Sequence, residues 1–233
     1  MINPKLTIII PAYNEINTIQ TLIDKVSQIE IDKQIILVDD CSSDGTNEII
    51  NKNENKIDKI IVHKENKGKG AAIKSAQEHV KGEYVIIQDA DLEYDPKDII
   101  SLLHEIESKK CQAVYGSRVL RNPKNIKSQN FSHNLRILGN IFLTKLSNIL
   151  NNQNLTDAHT CYKLFKSDLF KSIKLEESDF SFCPEITTKI SLLKIDIFEI
   201  PINYNGRTYD QGKKIVASDG LKAIWTLIKY RFF

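Results

Sequence analysis

The sequence predicts an α/β fold with a mostly parallel central sheet flanked by helices, in a single domain, and three observations carry that prediction. Short β-branched runs alternate with segments of helical period through the first half of the chain. The residues with unusual chemistry follow directly on those runs, at the strand ends where open α/β sheets take their ligands. The 233 residues are 41% hydrophobic, with neither an internal repeat nor a linker-like stretch, which suits one core.

In order, the strands are Leu6 to Pro11, Gln34 to Asp39, Lys59 to His63, Tyr84 to Asp89 and Ala113 to Ser117. Between them, segments near 15–29, 44–54, 69–81 and 96–108 carry apolar residues at helical spacing, as in Ile16, Ile19, Leu22, Ile23 and Val26. This is β-α-β repeated four times, the pattern of a parallel sheet. Leu120 to Asn130 has the composition of a loop, and Phe131 to Leu150 reads as an amphipathic helix through Leu135, Leu138, Phe142, Leu146 and Ile149. After Thr156-Asp157 come a short apolar run, a helix from Cys183 or Pro184 to Leu193, and a strand at Ile195 to Ile202. Then follow Tyr204-Asn205-Gly206-Arg207, a loop ending Gly212-Lys213-Lys214, and a helix from about Asp219 onward. In that helix Leu221, Ile224, Trp225, Leu227 and Ile228 lie beside Lys222, Lys229 and Arg231, followed by Phe232-Phe233. It reads either as an interfacial helix on a lipid surface or as a helix packed on the sheet through Trp225.

Composition excludes several classes. Acids and bases nearly balance, for a net charge of +2, so nucleic acid is not an expected partner. Cys41, Cys111, Cys161 and Cys183 show no Cys-x-x-Cys pairing, against a disulfide framework or structural zinc and in favour of a reduced, cytoplasmic setting. The chain opens without a signal-peptide apolar region, and no stretch reaches the roughly 18 to 20 apolar residues of a membrane span.

The most informative stretch is Gln88-Asp89-Ala90-Asp91-Leu92-Glu93, at the end of an apolar run. If this segment is extended, residues two apart share a face, and Asp89, Asp91 and Glu93 converge. Carboxylates that close need a counter-charge, and a hard cation such as Mg2+ or Mn2+ supplies it, with substrate phosphates completing its shell. A solvated acidic turn is the alternative. Asp39 and Asp40, ending the second strand, suit ribose hydroxyls or a base N–H. Gly68-Lys69-Gly70 offers backbone N–H groups and a lysine to phosphates, but lacks the endings of a P-loop or a dinucleotide fingerprint. Arg118, Arg207, Lys213 and Lys214 are candidates to hold phosphates. Together these describe a site for a nucleoside diphosphate departing from a sugar carbon.

The chain resembles the family 2 glycosyltransferases with the GT-A fold, a Rossmann-like architecture, and within them the branch of dolichyl-phosphate mannose synthases and bacterial polyprenyl-phosphate glycosyltransferases. The residues that carry the resemblance are Pro11-Ala12-Tyr13-Asn14-Glu15, Val38-Asp39-Asp40 with Ser42-Ser43-Asp44-Gly45-Thr46, Asn66 with Gly68-Lys69-Gly70, Gln88 to Pro96, and Gly116-Ser117-Arg118. Thr156-Asp157 with Thr160-Cys161-Tyr162-Lys163, Pro184-Glu185, and Arg207 with Gly212-Lys213-Lys214 extend it over nearly the whole chain. The resemblance implies a nucleotide-sugar-binding half, 1–120, and an acceptor-binding half, 121–233, closed by the amphipathic helix. It implies donor contacts from Pro11, Ala12, Tyr13, Glu15, Asp39, Asp40, Lys69, Asp89, Ala90 and Asp91. Metal ligation falls to Asp89, Asp91 and Glu93, phosphate or acceptor contacts to Arg118, Arg207 and Lys213, and catalysis to Asp91, Asp157 and Arg118.

The expected activity is inverting, Mg2+- or Mn2+-dependent transfer of a sugar from a UDP- or GDP-sugar to a polyprenyl phosphate on the cytoplasmic face of a membrane. Transfer to a sugar hydroxyl of a growing glycan, or nucleotide-sugar binding without turnover, are the alternatives. The acceptor decides the role of Asp157: a hydroxyl needs a general base, whereas a phosphate is already ionised and needs only orientation. His159 reads as a phosphate contact or as a structural partner.

Overall fold

Residues Leu6–Ala12 form β1 and Lys33–Asp39 form β2, each a nearly unbroken apolar run because both faces of a parallel sheet are covered. In this computed structural model, which describes residues 3–121, 131–207 and 217–233, the remaining strands are β3 (Lys59–Val62), β4 (Tyr84–Ile87), β5 (Ala113–Ser117), β6 (Lys163–Lys166) and β7 (Ile197–Pro201). They make one seven-stranded sheet in the order β3-β2-β1-β4-β6-β5-β7. Only β6 runs antiparallel to its neighbours, pairing Val85 with Phe165 on one side and Ala113 with Phe165 on the other.

Alternation along the strands divides the core into two layers. Ile8, Ile10, Ile35, Leu37 and Ile86 pack on α1 (Ile19–Ser27), α2 (Thr46–Lys52) and α4 (Asp98–Lys109). Ile9, Ile36, Val38, Val85 and Ile87 face the other way, onto α3 (Lys69–Gln77), α6 (Ser167–Ser172) and α7 (Phe182–Leu192). The predicted parallel framework is therefore present, with each predicted strand and helix of the first half in place. The short apolar run after Asp157 is β6, and the helix α6 that follows it carried no periodic signal in so few residues.

Two helices lie outside this sandwich. α5 (Phe131–Asn151) and α8 (Ala217–Phe232) pack against one another and against α7. The expectation that Trp225 anchors the last helix to the sheet is corrected: Trp225 is 61% exposed, and α8 buries Ala223, Thr226 and Leu227 instead. No helix among the described residues is long and apolar enough to cross a membrane.

Candidate active site

The loops after β1, β2 and β4 meet along one edge of the sheet, and each contains a non-glycine residue in left-handed backbone conformation: Asn14 at φ 50°, Cys41 at 65° and Leu92 at 61°. Such conformations cost roughly 1–2 kcal/mol each and persist only where the surroundings enforce them. Asn14 is held to the second loop from both sides, its N–H donating to Ser42 Oγ at 2.9 Å and its Oδ1 accepting from the Ser43 N–H at 2.8 Å. Asp44 accepts from the Ile16 N–H and from Thr46, locking the entry of α2 to the first loop.

Asp39 lies inside this junction, accepting from the Ser42 N–H at 3.2 Å and Asn47 Nδ2 at 3.0 Å, which leaves part of its acceptor capacity open. Asp40 is turned inward. Its carboxylate takes His63 Nδ1 at 2.6 Å and the N–H groups of Lys67 and Gly68 at 2.9 and 2.7 Å. The reading of Asp40 as a ribose contact gives way to an anchor for the turn that carries Lys69. The same bonds answer the expectation that Gly68-Lys69-Gly70 cradles phosphate with its backbone. The Gly68 N–H is spent on Asp40, and Gly70 is glycine because a Cβ there would strike the backbone carbonyl of Glu177. Lys69 itself reaches Asp89 in a short ion pair. Burial pulls its ammonium toward neutrality, but the Asp89 carboxylate outweighs that and holds Lys69 well above its ordinary range. Pro11 and Tyr13 are half-buried at the rim, while Ala12 and Ala90 are buried beneath it.

The acidic trio does not converge as an extended segment would require. β4 stops at Ile87, the chain turns through Ala90 and Asp91, and Leu92 reverses handedness, so the two-residue alternation fails before Glu93. Glu93 instead accepts from the Tyr204 hydroxyl at 2.6 Å and from the Arg207 N–H at 2.6 Å, pinning the segment after β7. Glu93, expected as a third metal ligand, is engaged by these two bonds, and among the described residues no three His, Cys, Asp or Glu side chains gather as a metal site. Asp89 and Asp91 still fit a hard divalent ion as a pair. The Asp91 carboxyl is pushed up to about 7 by burial, then by the charges of Asp89 and Glu93. A site that crowds anions at this cost is one where a cation belongs. Arg207 stands there now, bidentate to Glu15 at 2.9 and 3.0 Å and 3.2 Å from Asp91.

Arg118, directly after β5, faces Asp157. Nε and Nη2 donate to the two carboxylate oxygens at 2.6 and 2.8 Å, the Arg118 N–H adds a third bond at 3.1 Å, and Asn140 of α5 a fourth at 3.1 Å. Asp157 is wholly buried; desolvation favours its neutral form, but Arg118 overrides that and holds the carboxyl below its usual range. The guanidinium also lies 5.1 Å from the centre of the Tyr204 ring. Burial, then the nearby Lys163 charge, pushes His159 down to about 4, which disfavours its charged form as an anion contact. Lys213 and Lys214 lie outside the described residues.

Two contributors escaped the sequence reading. Asn140 is one polar residue among many in α5. Glu199 is an acid within Ile197-Phe198-Glu199-Ile200-Pro201, a signal that was open to reading, and it accepts from the N–H groups of Thr156 and Asp157 at 2.6 and 2.9 Å.

Comparison with known proteins identifies the family and the fold. The chain is 29% identical over 209 residues to the low-salt glycan biosynthesis hexosyltransferase Agl6 of Haloferax volcanii, covering 88% of this chain but only 49% of that protein. It is 28% identical to the UDP-N-acetylglucosamine–dolichyl-phosphate N-acetylglucosaminyltransferase of Methanococcus voltae, over 98% of this chain and 96% of that one. In structure it superimposes on glucosyl-3-phosphoglycerate synthase from Mycobacterium tuberculosis, solved with Mg2+ and uridine diphosphate. The TM-score is 0.74 at 16% identity, over 97% of this chain and 79% of that one, which identifies the fold as GT-A. The family model for glycosyl transferase family 2 matches residues 7–174, and the chain belongs to that family.

Proposed function

We propose that this glycosyltransferase moves one sugar from a nucleoside diphosphate donor to a polyprenyl phosphate at the cytoplasmic face of a membrane, with inversion. The observation that carries the acceptor assignment is the state of Asp157. Its carboxylate already accepts four hydrogen bonds, is wholly buried and has its acid form disfavoured, which makes it a poor general base. A sugar hydroxyl requires such a base, and an ionised phosphate does not. Asp157 fits the other task, holding Arg118 in place and charged while the N–H groups it leaves unused address the acceptor phosphate.

The acceptor oxygen attacks the anomeric carbon, the bond to the donor diphosphate breaks in line, and the leaving charge falls on the Asp89–Asp91 side of the site. Asp89 and Asp91 would hold Mg2+ or Mn2+, which supplies neutralisation of the leaving diphosphate. Lys69 and Arg207 add cationic charge there, and Asp39, with Pro11 and Tyr13 at the rim, is placed for the nucleoside. The archaeal N-acetylglucosaminyltransferase that aligns end to end is named for a dolichyl-phosphate acceptor, which supports the same assignment.

The test incubates purified protein with Mn2+, undecaprenyl phosphate and labelled UDP- and GDP-sugars, and counts label in the organic phase, with Asp91→Asn as control. Metal-dependent lipid labelling is expected and identifies the donor. Donor hydrolysis without lipid labelling would return the acceptor to a glycan hydroxyl.

A further inference from the structure

Pro184-Glu185, one of the pairs that carry the family resemblance, lies in the first turn of α7, where a proline forfeits no helical hydrogen bond and Glu185 is wholly buried. A buried carboxylate is kept only where partners surround it. Glu185 has three: Oε1 accepts from the Glu176 N–H at 2.7 Å and from Lys189 Nζ at 2.7 Å, and Oε2 accepts from the Glu177 N–H at 3.0 Å. An acceptor-only group suits that set, because a glutamine would turn an NH2 toward one of the donors. The segment so held, 176–180, runs against the entry of α3. A Cβ on Gly68 would come within 2.5 Å of the Ser178 carbonyl oxygen, and one on Gly70 would overlap that of Glu177. The Ser178 carbonyl accepts the Ala71 N–H at 3.0 Å, one of the donors that a helix start leaves open. The Phe180 ring centre lies 5.9 Å from the Lys69 ammonium.

The turn that carries Lys69 is therefore fixed from two sides, by Asp40 through the Lys67 and Gly68 N–H groups and by Ser178 through the Ala71 N–H. The second support depends on Glu185. Two ion pairs, Lys222 with Asp179 and Lys229 with Glu177, also tie 176–180 to α8, but they are partly open to water and hold weakly, whereas Glu185 is shielded from it. We propose that Glu185 is a positioning residue for the donor: through 176–180 it fixes the Lys69 ammonium where the diphosphate of the nucleotide sugar arrives. Glu185 touches no substrate and acts through Lys69 alone. The Gly68-Lys69-Gly70 and Pro184-Glu185 motifs are then the two ends of one device, with glycine at 68 and 70 so that the 177–179 backbone can close on the lysine's turn. The proposal rests on the reading of Lys69 as a contact of the donor diphosphate, and it is indifferent to the acceptor.

The test is a double-mutant cycle on binding. Calorimetry at saturating Mn2+ measures the affinity of UDP and of GDP for the wild type, Glu185→Gln, Lys69→Met and the double variant, at a temperature where circular dichroism shows all four folded. Whichever diphosphate the wild type binds should bind about tenfold more weakly to Glu185→Gln. Lys69→Met should lose at least as much, and adding Glu185→Gln to it should cost no more than about a further twofold, because the lysine through which Glu185 acts is gone. If Glu185→Gln does not fold, Gly70→Ala disturbs the same contact from the α3 side and should show the same loss and the same lack of additivity. Diphosphate affinity unchanged in Glu185→Gln, or a loss repeated in full on the Lys69→Met background, would overturn the positioning role and leave Lys69 as a donor contact. A wild type that binds neither diphosphate, or binding that Lys69→Met leaves unchanged, would instead remove the donor reading of Lys69 on which the proposal stands.

Discussion

Glu199, in the middle of β7, accepts the backbone N–H of Asp157 at 2.9 Å through one carboxylate oxygen, and through the other it takes the Thr156 N–H at 2.6 Å and hydroxyl at 2.9 Å. The Thr156 hydroxyl meets Ser117 Oγ at 2.6 Å, and that oxygen accepts from the N–H groups of Val119 and Leu120. One side chain thus ties β7 to both loops that present the Arg118–Asp157 pair. Glu199→Gln replaces an acceptor oxygen by an NH2 that faces backbone donors, at a cost of about 1–3 kcal/mol. We expect kcat to fall about tenfold or more with the donor KM unchanged, since Asp39 ends β2 and Asp91 lies in the turn after β4. Steady-state kinetics at saturating acceptor check this, and a change confined to donor KM would contradict it.

Asp157→Asn keeps the shape of the side chain and removes the charge that Arg118 faces. Leaving a buried guanidinium uncompensated costs roughly 3–5 kcal/mol. Because the Asp157 carboxyl is depressed in the folded protein, its stabilisation is complete above the unfolded value of about 4 and is lost as pH falls through the lower folded value. The stability gap between wild type and Asp157→Asn should therefore stay constant from pH 5 to pH 8 and close only below about pH 4. Urea melts across that range measure it. If Asp157 were a working base, the pH–rate profile of the wild type would show a limb near neutrality that the variant lacks.

Arg207 bonds Glu15 and lies close to Asp91 and Glu93, so it is the cation that keeps those acids together. Arg207→Ala should lower thermal stability without added metal, by about 2 kcal/mol for a partly buried network. It should also enlarge the gain in Tm on adding Mn2+ relative to wild type, because more unbalanced carboxylate charge remains for the ion to neutralise. Differential scanning calorimetry with and without Mn2+ tests both. An equal metal-induced gain in the two proteins would show that Arg207 and the ion do not compete for the Asp91 region.

The first four β-α units were legible because a parallel sheet covered on both faces forces β-branched runs, here alternating with segments of helical period. Lys69, Asp91 and Arg118 stood out as candidates because charged residues cluster in the loops after the predicted strands, whereas Asp157 was pointed to only by the family resemblance. What could not be read was direction. Asp89, Asp91 and Glu93 look alike in sequence, and only the left-handed Leu92 reveals that Glu93 turns away to Tyr204. Asp39 and Asp40 are neighbours of one type, yet one keeps acceptor capacity while the other is consumed by His63 and the 67–68 backbone. The period of α5 was visible, but periodicity gives a face without saying which way it points, and here the polar side is the buried one.

Lys163 offers a test of the buried support behind the site. The side chain is fully buried, donates to the Ala158 carbonyl at 2.9 Å and lies 3.5 Å from the centre of the Tyr115 ring. Its position fixes the residue next to Asp157. Desolvation pulls the ammonium down to about 8, only partly opposed by nearby Cys183, Cys161 and Asp157. A lysine depressed in the folded state binds fewer protons there than when unfolded, so stability rises with pH between the folded value and the unfolded one near 10.5. Relative to Lys163→Met, which has nothing to titrate, the wild type should gain roughly 2 kcal/mol between pH 7 and pH 10. Denaturant melts of the two proteins at matched pH isolate this gain from every other titrating group. A difference that stays flat across the window would mean that Lys163 remains charged inside the fold, with the Ala158 carbonyl and the Tyr115 ring supplying enough stabilisation to keep it so.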